Sequence, residues 1–430
     1  MNRNDSYKDS GVEWIGEIPN GWKKSKVKYH FHLISGFPFS SEDITNEERE
    51  YPIIRIGNVT SGKTDVYFEG ELSEKHPLVN YGDYVVSLTG DFSIRKWENK
   101  SSLLNQRCGL IKKFTSDDER FLFYYLPFQF RILEKTKYFT TLKNLSNREL
   151  LDIDFILPPL SEQQQIVSFL DTKTSQIDSL IEKTQRKIEL LKEKRNSLIN
   201  EVVTKGLNPN VEMKDSGVRW IGEIPSHWDR TKIKRHCEVK DGTHDTPEYL
   251  DLGENTVPLV TSNSFVKGEI DFTVSKHISF DDYIKINKRS NVTIDDIIMS
   301  MIGSNIGNRI LVKSSQPFSI KNVCLFKTSE SNSLIPKYLI YLIDSKYLKY
   351  QIDFNQKGGG QPFLSLDELR NLLFPFPPIL EQQQIVEYLD EQTGLIDKTI
   401  SIEEKRIELL KEYRQSLISE VVTGKRKVVE

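Results

Sequence analysis

A chain of 430 residues, with 62 acidic against 59 basic side chains, is long for one domain and is expected to fold as two to four units. A formal net charge of −3 excludes a polycation that coats nucleic acid unaided, so any DNA-binding charge has to be local or brought by a partner. No apolar run approaches the roughly 18 residues of a membrane span, the segment MNRNDSYKDS has no secretory pattern, and Cys108, Cys237 and Cys324 are too far apart for metal-type spacing, which together read as a cytosolic protein with reduced thiols.

The first element is the box KDSGVEWIGEIP at residues 8–19, which returns as KDSGVRWIGEIP at 214–225 with one position of twelve changed, Glu13 against Arg219. Behind each copy runs a basic stripe: Lys23, Lys24, Lys26 and Lys28, echoed by Arg230, Lys232, Lys234 and Arg235. YPIIRI (51–56), DYVVSL (83–88), VPLV (257–260) and DIIMSMI (296–302) read as strands, and FLFYYLPFQFRILEK and PKYLIYLIDSKYLKYQ as short amphipathic helices. Two weak echoes link the halves. GDYVVSLTGDFSI matches DDIIMSMIGSNIG, with Ser87 against Ser300 and Gly90 against Gly303; TKYFTTLKNLSNREL matches NQKGGGQPFLSLDEL. The second pair ends in capping boxes, Ser146 with Glu149 and Ser365 with Glu368. Two variable regions on one frame, with diverged surfaces, suggest a frame that reads two targets.

The strongest repeat comes last in each half. PPLSEQQQIV opens a segment at residue 158 and PPILEQQQIV its partner at 377, aligned without a gap at an offset of 219, with about 26 identities in the 43 positions from Glu162 to Thr204. Ile177, Ile181, Thr184, Ile188, Leu191, Arg195, Leu198 and Val202 step alternately by 4 and 3, as do Ile396, Ile400, Glu403, Ile407, Leu410, Arg414, Leu417 and Val421. This a/d heptad predicts two helices of about 40 residues, near 60 Å long, that cover each other's apolar seam. Ser161 with Gln164 reads as the capping box of the first helix. Arg195 and Arg414 are costly on the seam unless they reach acidic neighbours.

The catalytic inventory is short. GNVTSGKT (57–64) fits the P-loop pattern, but a phosphate cradle needs a helix starting at the lysine, and TDVYFEGEL reads instead as a hairpin with Ser61 and Gly62 in its turn. His30 and His32 alternate as on a strand and lack a third ligand. KGGGQPF (357–363) reads equally as an approach to a DNA backbone or as a flexible turn. No NPPY-type motif, FxGxG methyl-donor loop or PD nuclease start occurs. Two function classes follow from the residues: a P-loop nucleotide-hydrolysing enzyme using 57–64, and a coiled-coil scaffold without nucleic acid.

The twin DSGVxWIGEIPxxW boxes, the PPLSEQQQIV and PPILEQQQIV starts and the twin helices, over the whole chain, resemble the specificity subunit of Type I restriction-modification systems. The resemblance implies an α+β chain of two similar mixed α/β target-recognition domains (1–155 and 207–374). They are separated by two long helices (156–206 and 375–430) packed as an antiparallel coiled coil with internal pseudo-two-fold symmetry. It implies no catalysis in this chain; its partners are double-stranded DNA with a bipartite site, two adenine-methyltransferase subunits and, in some systems, restriction subunits. S-adenosylmethionine, ATP and Mg are then expected on those partners, in a prokaryotic cytoplasm. Polarity and loop position make Arg95, Lys96, Lys143 and Asn144 the DNA-contact candidates of one domain, and Asn305, Arg309, Lys357 and Gln361 those of the other.

Overall fold

The computed structural model describes residues 6–136, 143–266, 268–357 and 362–428. The chain divides into two compact units: Met1–Thr184 with Lys405–Glu430, and Gln185–Glu404.

In the first unit the box folds into a small hairpin, Tyr7–Asp9 against Glu17–Pro19, and sends Val12, Ile15, Ile18 and Trp22 into the core. The lysine strand Lys23–Lys26 then pairs with Asp154–Leu157, just before the long helix. Between them lies an antiparallel sheet in the order Ser93–Lys96, Tyr84–Ser87, Cys108–Lys113, Phe31–Ser35. A second sheet pairs Ser102–Leu104 in parallel with Ile53–Ile54 and antiparallel with Leu78–Val79. The helix Glu119–Thr136 carries Pro127 inside it and buries Phe121, Leu122, Tyr125 and Leu126 against the main sheet. The Tyr125 hydroxyl donates to the carbonyl of Asp154 at 2.8 Å, tying that helix to the strand that leads into the long helix.

The second unit repeats this plan. Its box hairpin is Met213–Asp215 with Glu223–Pro225, its basic strand Asp229–Lys232 pairs with Leu373–Phe376, and its main sheet runs Arg309–Leu311, Ile297–Ser300, Val323–Phe326, Val239–Asp241. The parallel pair is also kept, Thr256–Val260 with Ser319–Ile320. The third strand, Lys276–Ser279, joins the opposite member of that pair from the one used in the first unit, and the helix Phe280–Ser290 follows it. PKYLIYLIDSKYLKYQ forms two helices, Pro336–Asp344 and Lys346–Asn355, not one. Ser345 is extended, and its side chain caps the second helix by accepting from Leu348 N–H.

The long segments form helices Leu160–Lys205 and Ile379–Val422. Their first amides bond to the carbonyls of Pro159 and Pro378. Ser161 therefore lies inside the first turn, and its expected capping box with Gln164 is replaced by the proline start. Within the first unit, Ile166, Val167, Leu170 and Ile177 share a core with Leu417, Ile418, Val421 and Val422. Within the second, Ile199, Val202 and Val203 share one with Ile385, Val386 and Leu389. In each unit the beginning of one helix meets the end of the other, which is antiparallel pairing. The seam residues Ile177, Ile188, Val202, Ile396, Ile400, Ile407, Leu417 and Val421 are buried, while Ile181, Leu191, Leu198 and Leu410 are partly buried. The seam arginines reach acids at equivalent places: Arg414 to Asp178 at 3.3 Å and Arg195 to Asp397 at 3.2 Å.

The repeated box is explained in part by where the helices end. Gly206 and Gly424 both terminate a long helix at φ +72. A Cβ on Gly424 would stand 2.4 Å from Pro19 and 3.3 Å from Trp22, and one on Gly206 3.1 Å from Trp228. Each helix end is thus seated on the last aromatic of a box; its left-handed backbone favours glycine at both, and at Gly424 a Cβ has no room. Among the described residues no helix is long and apolar enough to cross a membrane.

Candidate nucleic-acid interface

The two weak sequence echoes meet in space within each unit. In the first, Gly90 N–H donates to the carbonyl of Lys143 (2.9 Å) and Leu145 N–H to that of Leu88 (2.8 Å). In the second, Gly303 N–H donates to Pro362 (2.8 Å) and Leu364 N–H to Met301 (2.9 Å). Each unit therefore holds the loop after its central strand against the segment that precedes the short capped helix. Gly90 and Gly303 adopt φ +78 and +82 there, as the turn requires. The capping boxes Ser146/Glu149 and Ser365/Glu368 close both ways and fix that segment.

Around these junctions stand most of the candidate contacts, with uneven freedom. Asn144 accepts from Thr89 Oγ at 2.9 Å, and Lys143 pairs with Glu134. Lys96 is exposed beside Glu98, 3.5 Å away. Arg95 bonds the carbonyls of Val59 and Thr60, so part of its guanidinium closes the end of the helix Ile56–Ser61. Asn305 is exposed at the tip of the second loop. Arg309 is clamped on Asp344 and only 24% exposed in its side chain. Lys357 faces Phe363 across a β-bridge and pairs with Glu368 at 2.7 Å; Gln361 and most of the glycine cluster lie outside the described residues.

A further polar cluster escaped the sequence reading. In the second unit the buried carboxylate of Asp241 holds His244 (2.9 Å) and Arg289, both about half exposed, and His244 meets Asn322 at 3.2 Å. Nearby Lys321 donates to Thr246 and lies over the Tyr249 ring. The available signal was DGTH, whose Gly242 matches Gly36 of SGFP, where the two halves part company. The first basic stripe, by contrast, is largely neutralised, Lys24 meeting Asp154 and Lys26 and Lys28 meeting Asp152, while in the second Lys232 bonds the uncharged Asn371.

The P-loop pattern has the opposite polarity to a phosphate cradle. Residues Ile56–Ser61 form a helix, not the hairpin expected, because Asn58 Oδ1 accepts from Arg55 N–H and starts a turn. That helix ends at Gly62, left-handed at φ +74, so Lys63 follows its C-terminus, where carbonyls and not amides are exposed. The nucleotide-hydrolysis reading loses its geometric basis. His30 sits at the end of a 3-10 turn between Ser25 (2.7 Å) and Asp117 (2.5 Å), a structural bridge repeated by His236 with Thr231 and Ser333. Burial holds the Asp117 carboxyl up, but bonds from Gln163, Thr115 and His30 outweigh it and keep it below the usual range. Cys108 and Cys237 are buried, which pushes both thiols up to about 12, and Cys324 is raised likewise, so none is an activated nucleophile. Among the described residues no group of three or more metal-ligating side chains converges.

The family model for the "Type I restriction modification DNA specificity domain" matches residues 19–191 and again 225–412. The chain is 25% identical over 424 residues to the EcoBI specificity subunit of Escherichia coli, covering 97% of this chain and 88% of that one. It is 24% identical to the MjaVIII specificity subunit of Methanocaldococcus jannaschii, at 96% and 94% coverage. In fold it is similar to a chain solved in work on assembly and conformational transition of the type I R-M system (TM-score 0.70, 15% identity, 94% and 98% coverage). It is also similar to the HsdS subunit from Thermoanaerobacter tengcongensis (TM-score 0.53, 15% identity, 95% and 98% coverage). With the specificity domain present twice, on a frame built twice, the chain belongs to the specificity subunits of Type I restriction-modification systems.

Proposed function

We propose that each unit reads one half of a bipartite site in double-stranded DNA, and that the long helices are the docking surface for two adenine-methyltransferase subunits, joined in some systems by restriction subunits. The target-recognition domains are then 1–155 and 207–374 and the helical spacers 156–206 and 375–430. The observation that carries this reading is the pair of loop junctions, held by the same backbone bonds in both units but built from different side chains. Side chains on these loops enter the major groove, where all four base pairs differ, while lysines and arginines fix register on phosphates. The chain itself is non-catalytic and cytoplasmic; S-adenosylmethionine, ATP and Mg bind the partners, which also supply part of the phosphate neutralisation that a chain of net charge −3 lacks.

Among the described candidates, Asn305 and Lys96 carry the least fixed polar groups, and Arg309 is the most committed to structure. Truncating a base reader costs about 1–3 kcal/mol and relaxes one position of the site, whereas truncating a phosphate contact weakens all sequences alike and lowers the salt slope by about one. Mapping methylated adenines in cells carrying the complex with Asn305→Ala or Lys96→Ala separates the two. The purified chain alone is expected to show no methyl transfer, DNA cleavage or ATP hydrolysis; an ATPase abolished by Lys63→Ala contradicts the reading.

A further inference from the structure

The box contains one large apolar residue that the fold only partly covers. Val12, Ile15, Ile18 and Trp22 are buried, yet Trp14 is 45% exposed and its repeat, Trp220, 44%. Both tryptophans stand at the tip of the same turn. Ile15 and Gly16 N–H return to the carbonyl of Val12, as Ile221 and Gly222 return to Val218, and Ser10 N–H closes on Gly16 as Ser216 does on Gly222. The backbone presents each ring in a fixed position.

Each ring also borders further apolar surface of its own unit. Trp14 lines a cleft of about 310 Å³ with Ile132, Leu133, Leu145 and Ile153, rimmed by charged side chains such as Arg148. Trp220 lies 5.4 Å from the ring of Tyr350, which stacks at 6.3 Å on Phe354, and these two are 52% and 74% exposed. A single exposed aromatic needs no explanation, but the same one kept in both copies beside a second apolar group does.

We infer that Trp14 and Trp220 are the aromatic anchors of two equivalent protein-docking faces, each taking an apolar segment of one methyltransferase subunit. The occupant follows from the contrast within the chain. The surfaces that have to differ, because two half-sites differ, lie in the diverged regions. The box is identical in eleven of twelve positions, so whatever covers its exposed ring is met twice in the same form. DNA half-sites of unlike sequence do not satisfy that, and two copies of one subunit do. The rim of charge around an aromatic centre is the arrangement of an interface hot spot.

This inference rests on the reading that two methyltransferase subunits join the chain. The test measures binding of the purified methyltransferase subunit of the same system to the full chain by native mass spectrometry and titration calorimetry. Parent, Trp14→Ala, Trp220→Ala, the double variant and Trp14→Phe are compared. The parent binds two subunits. Each single variant weakens one of the two sites by about 30-fold or more, the scale of a hot-spot tryptophan; the double variant weakens both, and Trp14→Phe restores most of the loss. Circular dichroism and melting curves of all variants match the parent, because the rings are half exposed. Unchanged affinity in the double variant overturns the inference, as does self-association of the parent chain that the substitutions abolish. A parent chain that binds no methyltransferase overturns the underlying reading, and the inference with it.

Discussion

The same ion pair is built once in each unit, at two depths. Asp83 and Asp296 both precede the central strand, and Lys112 and Lys327 both follow the residue paired with that strand's first position. In the first unit, Lys112 and Asp83 are 38% and 16% exposed in their side chains; in the second, Lys327 and Asp296 are fully buried. There Lys327 also bonds the Asn291 carbonyl and Thr293, while Asp296 accepts from Thr293 and Ser329. A second contrast lies at the matched glycines. Gly36 and Gly242 each pass so close to the neighbouring strand that a Cβ would stand 1.9 Å from the carbonyl oxygen of Asn105 and 2.1 Å from that of Ile320. Beyond Gly36 the chain builds an aromatic cluster, Phe37, Phe39, Phe68 and His76, with ring centroids 4.6–5.5 Å apart. Beyond Gly242 it builds the polar group of Asp241, His244, Arg289 and Asn322. The frame is kept where backbone packs on backbone and changes where side chains meet solvent. That division suits a protein whose two halves share a structural role and read different sequences.

Substitutions ranked by expected effect sharpen this comparison. Asp296→Ala leaves a fully buried ammonium with only the exposed Glu330 carboxylate, 3.4 Å away, which costs about 3 kcal/mol; hydrogen exchange of the Val323–Phe326 amides reports it. Gly36→Ala and Gly242→Ala force a methyl against backbone and cost about 1–3 kcal/mol each, equally in the two units, read from urea unfolding with domain-resolved exchange. Asp83→Ala removes the shallower version of the pair and costs about 1 kcal/mol or less. An Asp83→Ala as damaging as Asp296→Ala would show that burial does not separate the two pairs.

Much of this architecture was legible because it is local or periodic. The heptads gave the two long helices, Ser146/Glu149 and Ser365/Glu368 gave their capped turns, DYVVSL contains the strand Tyr84–Ser87, and VPLV falls within the strand Thr256–Val260. The misreadings share a cause: a nearby side chain or a proline redirected the backbone. Asn58 started a helix in the P-loop-like segment, Ser345 broke one helix into two, and Pro159 displaced Ser161 as the helix start. The interface was harder to read because charge alone does not tell which cations are free. Lys24 and Lys28 are neutralised by Asp154 and Asp152, more than 120 positions away, and Arg309 by Asp344. The Asp241 cluster likewise joins residues from three separated segments, which no short motif records.

The central claim is that one unit reads one half-site. Replacing residues 229–370 with the corresponding stretch of another specificity subunit, and mapping methylated adenines across the genome of cells carrying the complex, tests it most directly. The account predicts a new bipartite site in which one half is unchanged and the other is replaced. A site changed in both halves, or in neither, would contradict it.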